Sequence, residues 1–149
     1  MPIEIDGDEA SSLKLFVVLS KAYRTITEQA IKDTKRYGLS PSEFAVLELL
    51  FTKGHIPLQQ IGEKILVTSG SITYNIDKLE NKGFLKRVPC KEDRRVIYAE
   101  ITEEGNQFFS RIFPQHAAAI HSLLKGFSPD EKQAAIDLLK KLGKGAKET

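Results

Sequence analysis

The stretch VTSGSITYNIDKLENKGF, Val67 to Phe84, decides how the rest of the chain is read. Ile72, Ile76 and Leu79 fall at i, i+4 and i+7, the spacing of one apolar stripe on an α-helix. Ser71, Tyr74, Asn75 and Lys78 make a second, polar stripe roughly a third of a turn away. Thr68 is placed to cap the helix start, with Ser69, Gly70 and Ser71 behind it. Gly83 suits the left-handed residue that closes a helix, with Phe84 packing back on Leu79 in a Schellman arrangement. An ordinary solvent-facing helix exposes mostly Glu and Lys. This one offers hydroxyls, an amide, a phenol and a lysine, which can hydrogen-bond base edges and phosphates. Ser69, Ser71, Thr73, Tyr74, Asn75 and Lys78 are therefore the candidate recognition set. Ser71, Tyr74 and Asn75 are expected to read bases, and Ser69 to sit near a phosphate at the helix start.

Working outward, Ser40-Pro41-Ser42-Glu43 is a capping box with Pro at the first helical position. The helix it opens is rich in core residues (Phe44, Val46, Leu47, Leu50), and Lys53-Gly54-His55 breaks it. Pro57 opens a short helix from Leu58 to about Leu66, and the turn at Val67 and Thr68 leads into the recognition stretch. That order is a helix-turn-helix. After Gly83 the period becomes that of strands. Phe84, Leu85, Arg87 and Val88 run to Pro89, Lys91 to Arg95 make a charged tip, and Val96 to Ile101 return. A two-stranded hairpin in that position is the wing of a winged helix. Lys91, Arg94 and Arg95 are its DNA-binding candidates, because a narrow minor groove attracts arginine. Asp93 cannot attract DNA and is expected to pair with Arg95 and fix the tip.

Charge distribution agrees. Residues 78–95 hold seven basic side chains against three acidic ones, in a chain whose net charge is only +2. Such a local patch points to a polyanion. The flanks are helical. Residues 1–10 read as a loosely tied end. Ser11 to about Tyr37 is a long helix apolar on more than one face, which needs burial on more than one side. A second copy of the chain supplies that burial economically; a central helix inside a monomer is the alternative. Thr102-Glu103-Glu104 caps another long helix to about Lys125, which Pro114 should kink or split. Ser128-Pro129-Asp130-Glu131 opens the last helix, ending near Gly143 before a basic frayed tail.

One cysteine excludes an internal disulfide framework and fits a reducing cytosol. The acidic start lacks the basic region of a secretory signal, and the longest apolar run, Leu15 to Leu19, cannot span a bilayer. A cytoplasmic protein is expected. No carboxylate pair, Ser/His/Asp set or phosphate loop stands out, so neither an enzyme nor a cofactor is expected. His116 and His121 are spaced i, i+5, which does not place two ligands on one helix face, so no metal site is expected.

Three segments together resemble the MarR family of bacterial transcription regulators. They are LSPSEFAVLELL (39–50), IGEKILVTSGSITYNIDKLENKGFLKR (61–87) and EDRRVIYAEITEEG (92–105). The most diagnostic part is the wing motif of Asp93 and Arg95, followed by Thr102 to Gly105. The resemblance implies a mainly α fold with a small β-hairpin wing. It implies a helical dimerisation region formed by 1–38 and 102–149, and a winged helix-turn-helix domain over 39–101. It also implies a homodimer on double-stranded DNA, with each recognition helix in a major groove of a pseudo-palindromic operator. The wing arginine, Arg95 by motif position, would enter the minor groove. Family members commonly release DNA when a small effector binds between the two regions, or when a cysteine is oxidised. The runs SLKLFVVLSKAYRTI and ILVTSGSITYNIDKLE are similar to those of regulators responsive to quinones and other phenolic compounds. Tyr23, Phe44, Phe108 and Phe113 are the candidate aromatic effector pocket, with ordinary core packing as the plainer reading. Cys90, with basic neighbours that could activate a thiol, is the candidate redox residue, against an incidental cysteine. A winged helix that binds protein rather than DNA stays open as the rival function.

Overall fold

The computed structural model describes residues 2–65 and 69–148, with the side chains of residues 69–71 outside that description. The order is α1 (Gly7–Lys35), α2 (Pro41–Lys53), β1 (His55–Pro57), α3 (Leu58–Lys64), α4 (Ser69–Asn81), β2 (Leu85–Pro89), β3 (Ile97–Ile101), α5 (Glu103–Leu123) and α6 (Pro129–Lys147). The fold is mainly α, as expected, with a small antiparallel sheet.

Residues 2–6 carry no secondary structure, but from Gly7 the acidic start is the first turn of a helix rather than a loose end. Asp6 accepts the Glu9 backbone N–H at 2.7 Å, and Asp8 and Glu9 occupy the first turn, where the helix dipole favours negative charge. Most of α1 is exposed; among its described residues only Asp33 and Thr34 are buried. The helix is therefore not the centre of a monomeric core. Both capping boxes form as read. Ser40 and Glu43 exchange hydrogen bonds at 3.1 Å each, and Ser128 and Glu131 do the same at 3.1 and 2.9 Å.

The sheet has three strands rather than two, in the order β1-β3-β2. Gly54, at φ +83°, turns the chain out of α2, and His55 pairs with Glu100 and Ile56 with Ala99. Three residues that follow a glycine and end on a proline carry no readable alternation, yet Ile56 is buried and extends the apolar layer under β3. On the other side of β3, Leu85 pairs with Ile101 and Pro89 with Ile97, which makes the expected wing.

Gly83 closes α4 with φ +82°. The Gly83 N–H donates to the Glu80 carbonyl (2.9 Å) and the Phe84 N–H to that of Leu79 (3.0 Å), the two bonds of a Schellman motif. Phe84 then lies nearly parallel to Phe108 of α5, with ring centroids 4.3 Å apart. Pro114 does not split α5, which is continuous from Glu103 to Leu123, and α6 runs past Gly143 to Lys147. The core under α4 and the sheet contains Val46, Leu47, Leu50, Ile61, Ile76, Leu79, Leu85, Ala99 and Phe109.

The Thr102 to Gly105 motif has a packing cause. Thr102 Oγ1 donates to the Gly83 carbonyl (2.6 Å) and accepts the Gly105 N–H (3.0 Å). A Cβ on Gly105 would overlap the Phe84 carbonyl oxygen. The first turn of α5 is thereby pressed against the end of the recognition helix.

Candidate nucleic-acid interface

The inner face of α4 is the expected one, with Ile76 and Leu79 buried and Ile72 packed against the core. Its outer face is rotated from expectation. Thr73, Tyr74, Asp77 and Lys78 are exposed, whereas Asn75 is only 4% exposed. Asn75 is thus corrected from a base reader to a buried structural amide. The polar stripe chosen from sequence lies a third of a turn from the apolar stripe; the exposed face lies opposite it. The signal that would have found this was the direction of the apolar stripe itself. Ser69 falls in the first turn of α4, but the side chains of Ser69 and Ser71 and the whole of the expected cap Thr68 lie outside the described residues.

Tyr74 and Lys78 work as a pair. The Lys78 ammonium lies 4.8 Å from the Tyr74 ring centroid, a cation–π contact. The Tyr74 phenol holds the Lys78 amine above its ordinary range, favouring the charged form. The outer face thus presents a hydroxyl, a phenol and a cation that the rest of the chain leaves accessible.

The wing tip carries Lys91, Arg94 and Arg95, all exposed. Asp93 accepts Arg95 Nε at 3.2 Å and Arg95 Nη2 at 3.4 Å, and the Arg95 backbone N–H at 3.0 Å. The Arg95 side chain, then its N–H, hold the Asp93 carboxyl below its usual range. The Arg95 side chain is nevertheless 91% exposed, so the pair holds it without covering it. Gln59 of α3 donates to the Arg95 carbonyl at 3.4 Å and ties the wing to the helix-turn-helix.

Two cations of the basic patch are not available to a ligand. Lys82 Nζ donates to Glu43 (2.6 Å) and to the Gly38 carbonyl (2.9 Å), which joins α4 to the end of α1 and the start of α2. Arg87 of β2 is clamped by Asp77 and Glu80 of α4. Sequence proximity counted both as patch; long-range pairing removes them. Asp77 carries no sequence signal of its own, because a carboxylate on a helix face otherwise made of donors looks like an ordinary solvated charge.

The four aromatic residues proposed to line an effector pocket do not converge. Phe44 is buried in the core, Phe108 stacks on Phe84, and Tyr23 is exposed on α1. Of the four, only Phe113 borders the cavity of about 630 Å³ between α2 and α5, whose wall also includes Ala45, Leu49, Phe51, Ile65 and Phe109. Helical spacing gave four aromatics without saying which elements they share. Cys90 is half-buried, and its backbone N–H donates to the Val96 carbonyl at 2.9 Å. Among the described residues no three His, Cys, Asp or Glu side chains are grouped to hold a metal ion, and no helix is long and apolar enough to cross a membrane.

A recognition helix with a polar outer face, a preceding helix and a wing with two exposed arginines define a winged-helix DNA-binding transcription regulator. The chain belongs to the MarR family, whose model matches residues 39–97. It is 52% identical over 137 residues to the HTH-type transcriptional regulator MhqR of Bacillus subtilis (strain 168), covering 92% of this chain and 94% of that protein. In fold it is similar to AbsC, a MarR family transcriptional regulator from Streptomyces coelicolor (TM-score 0.81, 19% identity, 99% of this chain and 100% of that one). It is similar also to a mutant MarR from E. coli complexed with operator DNA (TM-score 0.78, 20% identity, 89% of this chain and 95% of that one).

Proposed function

We propose that the chain is a cytoplasmic, homodimeric repressor without catalytic activity that binds a pseudo-palindromic operator and leaves it when a small phenolic or quinone effector binds. The observation that carries the DNA-binding part is the division of labour among the cations. Lys82 and Arg87 are consumed by internal carboxylates, while Lys78, Lys91, Arg94 and Arg95 stay exposed on α4 and the wing. A surface meant only for protein contact has no need of that arrangement. Thr73 and Tyr74 would read base edges and Lys78 a phosphate, with Arg95 in the flanking minor groove.

Dimerisation through 1–38 and 102–149 is supported by uncovered apolar side chains on both helical ends. Leu13, Phe16, Val17 and Val18 on α1 and Leu138 and Leu139 on α6 are all at least 46% exposed in the single chain. A second copy would bury them and present two copies of 39–101, one to each half-site, about one or more helical turns apart. The effector reading is supported by the cavity between α2 and α5. Its wall is mostly apolar and aromatic, and Ser42, Glu48, Thr52 and Lys64 supply the few polar groups that would orient a small aromatic ligand. This replaces the aromatic set read from the sequence.

The test is fluorescence anisotropy with the DNA upstream of the chain's own gene, with and without added quinone. Salt-sensitive binding that quinone reverses supports the reading. Absence of salt-sensitive binding to any such fragment favours a protein-binding winged helix.

A further inference from the structure

We propose that Arg87 sets operator affinity without touching DNA, by covering the Asp77 carboxylate that lies in the middle of the outward face of α4; the proposal rests on the DNA-binding reading above. Asp77 stands four residues after Thr73, three after Tyr74 and next to Lys78, so it shares the face meant for the groove. Its side chain is 55% exposed. An uncovered carboxylate there would repel the phosphates that Lys78 attracts.

Arg87 reaches this position from a different element. It lies on β2, where its main chain pairs with Ala99 of β3. Its Nη2 donates to Asp77 Oδ1 at 2.6 Å and its Nη1 to Glu80 Oε1 at 2.5 Å, while its backbone N–H donates to Glu80 Oε2 at 3.2 Å. One planar guanidinium thus bridges two carboxylates one turn apart on the helix, a geometry that lysine cannot reproduce. The Arg87 side chain is 29% exposed, well below the wing-tip Arg95 at 91%. With two of its donors spent on carboxylates, it is poorly placed to bind phosphate itself. Asp77 and Glu80 bring two negative charges to the recognition helix, and Arg87 leaves them a net charge of only one.

The experiment measures affinity for the upstream DNA fragment that wild type binds, using Arg87→Ala, Asp77→Asn, and Arg87→Ala combined with Asp77→Asn and Glu80→Gln. Arg87→Ala is expected to weaken binding at least about tenfold, the scale of one lost or repelled ionic contact. The triple variant is expected to return to within about threefold of wild type, because no carboxylate is left to cover. Asp77→Asn alone, which keeps the Arg87–Glu80 pair and so the fold, is expected to bind at least as tightly as wild type. Failure of the triple variant to recover, unchanged affinity in Arg87→Ala, or a clear loss in Asp77→Asn overturns the proposal while leaving the DNA-binding reading intact. If wild type itself binds no fragment, that reading fails and this inference falls with it. Helical circular dichroism of each variant identifies any loss of affinity that comes from unfolding.

Discussion

Asp33 of α1 and His116 of α5 meet at 2.8 Å across a sequence separation of 83, and Asp33 is only 5% exposed. Tyr37 donates to the other carboxylate oxygen at 2.8 Å, and the His116 ring packs on Phe44 of α2 with centroids 4.3 Å apart. One buried carboxylate therefore joins the end of the first helix to the long fifth helix, whose His116 ring in turn packs on α2. His116→Ala removes one of its partners and is expected to cost about 1–3 kcal/mol, the penalty for an under-satisfied buried group. A urea midpoint at neutral pH checks this. A change within about 0.5 kcal/mol, the usual range for surface positions, would show that the joint is not structural.

Stability should fall on both sides of neutrality for identifiable reasons. Burial raises the Glu43 carboxyl, but the Lys82 ammonium and the Ser40 cap outweigh it, so the group sits below its ordinary value of 4.5. A lowered folded pKa means stability that is present above 4.5 and lost as pH falls through the folded value. Burial, then Asp33, push the Tyr37 phenol from 10.0 up to about 12, so its contribution is present below 10.0 and lost as pH rises towards 12. Thermal midpoints across pH should show a shallower acid limb in Glu43→Gln and a shallower alkaline limb in Tyr37→Phe. Limbs unchanged from wild type would assign the pH dependence to other groups.

Gly105→Ala should be among the most damaging single-methyl changes in the chain. The added Cβ meets the Phe84 carbonyl, which is main chain and cannot swing away, and also Ile101 Cγ1 at 2.9 Å. Overpacking of this kind costs about 1–3 kcal/mol. Gly143→Ala, with nothing within 4 Å of the added carbon, is the control and should be neutral or slightly stabilising. Equal melting temperatures for the two variants would contradict the packing described for the first turn of α5.

The two neighbours Tyr74 and Asn75 should separate binding from folding. Tyr74 is 59% exposed and Asn75 4%. Tyr74→Ala is expected to leave the urea midpoint within about 0.5 kcal/mol and to weaken operator binding. Asn75→Ala is expected to lose about 1–3 kcal/mol of stability. Stability changes in the opposite order would restore the sequence-based orientation of the helix.

These pairs also mark how far the sequence could be read. Helices with a cap and an apolar stripe were legible, because Ser40, Ser128, Thr102 and Gly83 act on their own neighbours within a few residues. The wing was legible for the same reason, as was the pairing of Asp93 with Arg95 two residues away. What failed depends on distant partners. β1 exists only because β3 offers it an edge. Arg87 and Lys82 look like ligand-binding cations until Asp77, Glu80 and Glu43 are brought to them. Helical spacing groups Tyr23, Phe44, Phe108 and Phe113, but α2 and α5 together decide which aromatics face the cavity. Asn75 is polar but lies beside the apolar stripe rather than opposite it, so its polarity alone does not reveal that it is buried.

The most direct test of DNA recognition is a salt titration of operator affinity for wild type and Arg95→Ala, with light scattering on both. For wild type, the logarithm of affinity should fall linearly and steeply with the logarithm of salt concentration, as phosphate contacts require. Arg95→Ala should bind about tenfold or more weakly, the scale of one lost arginine contact, with the same molecular mass. Equal affinity for the two proteins, or binding indifferent to salt, would contradict DNA recognition by α4 and the wing.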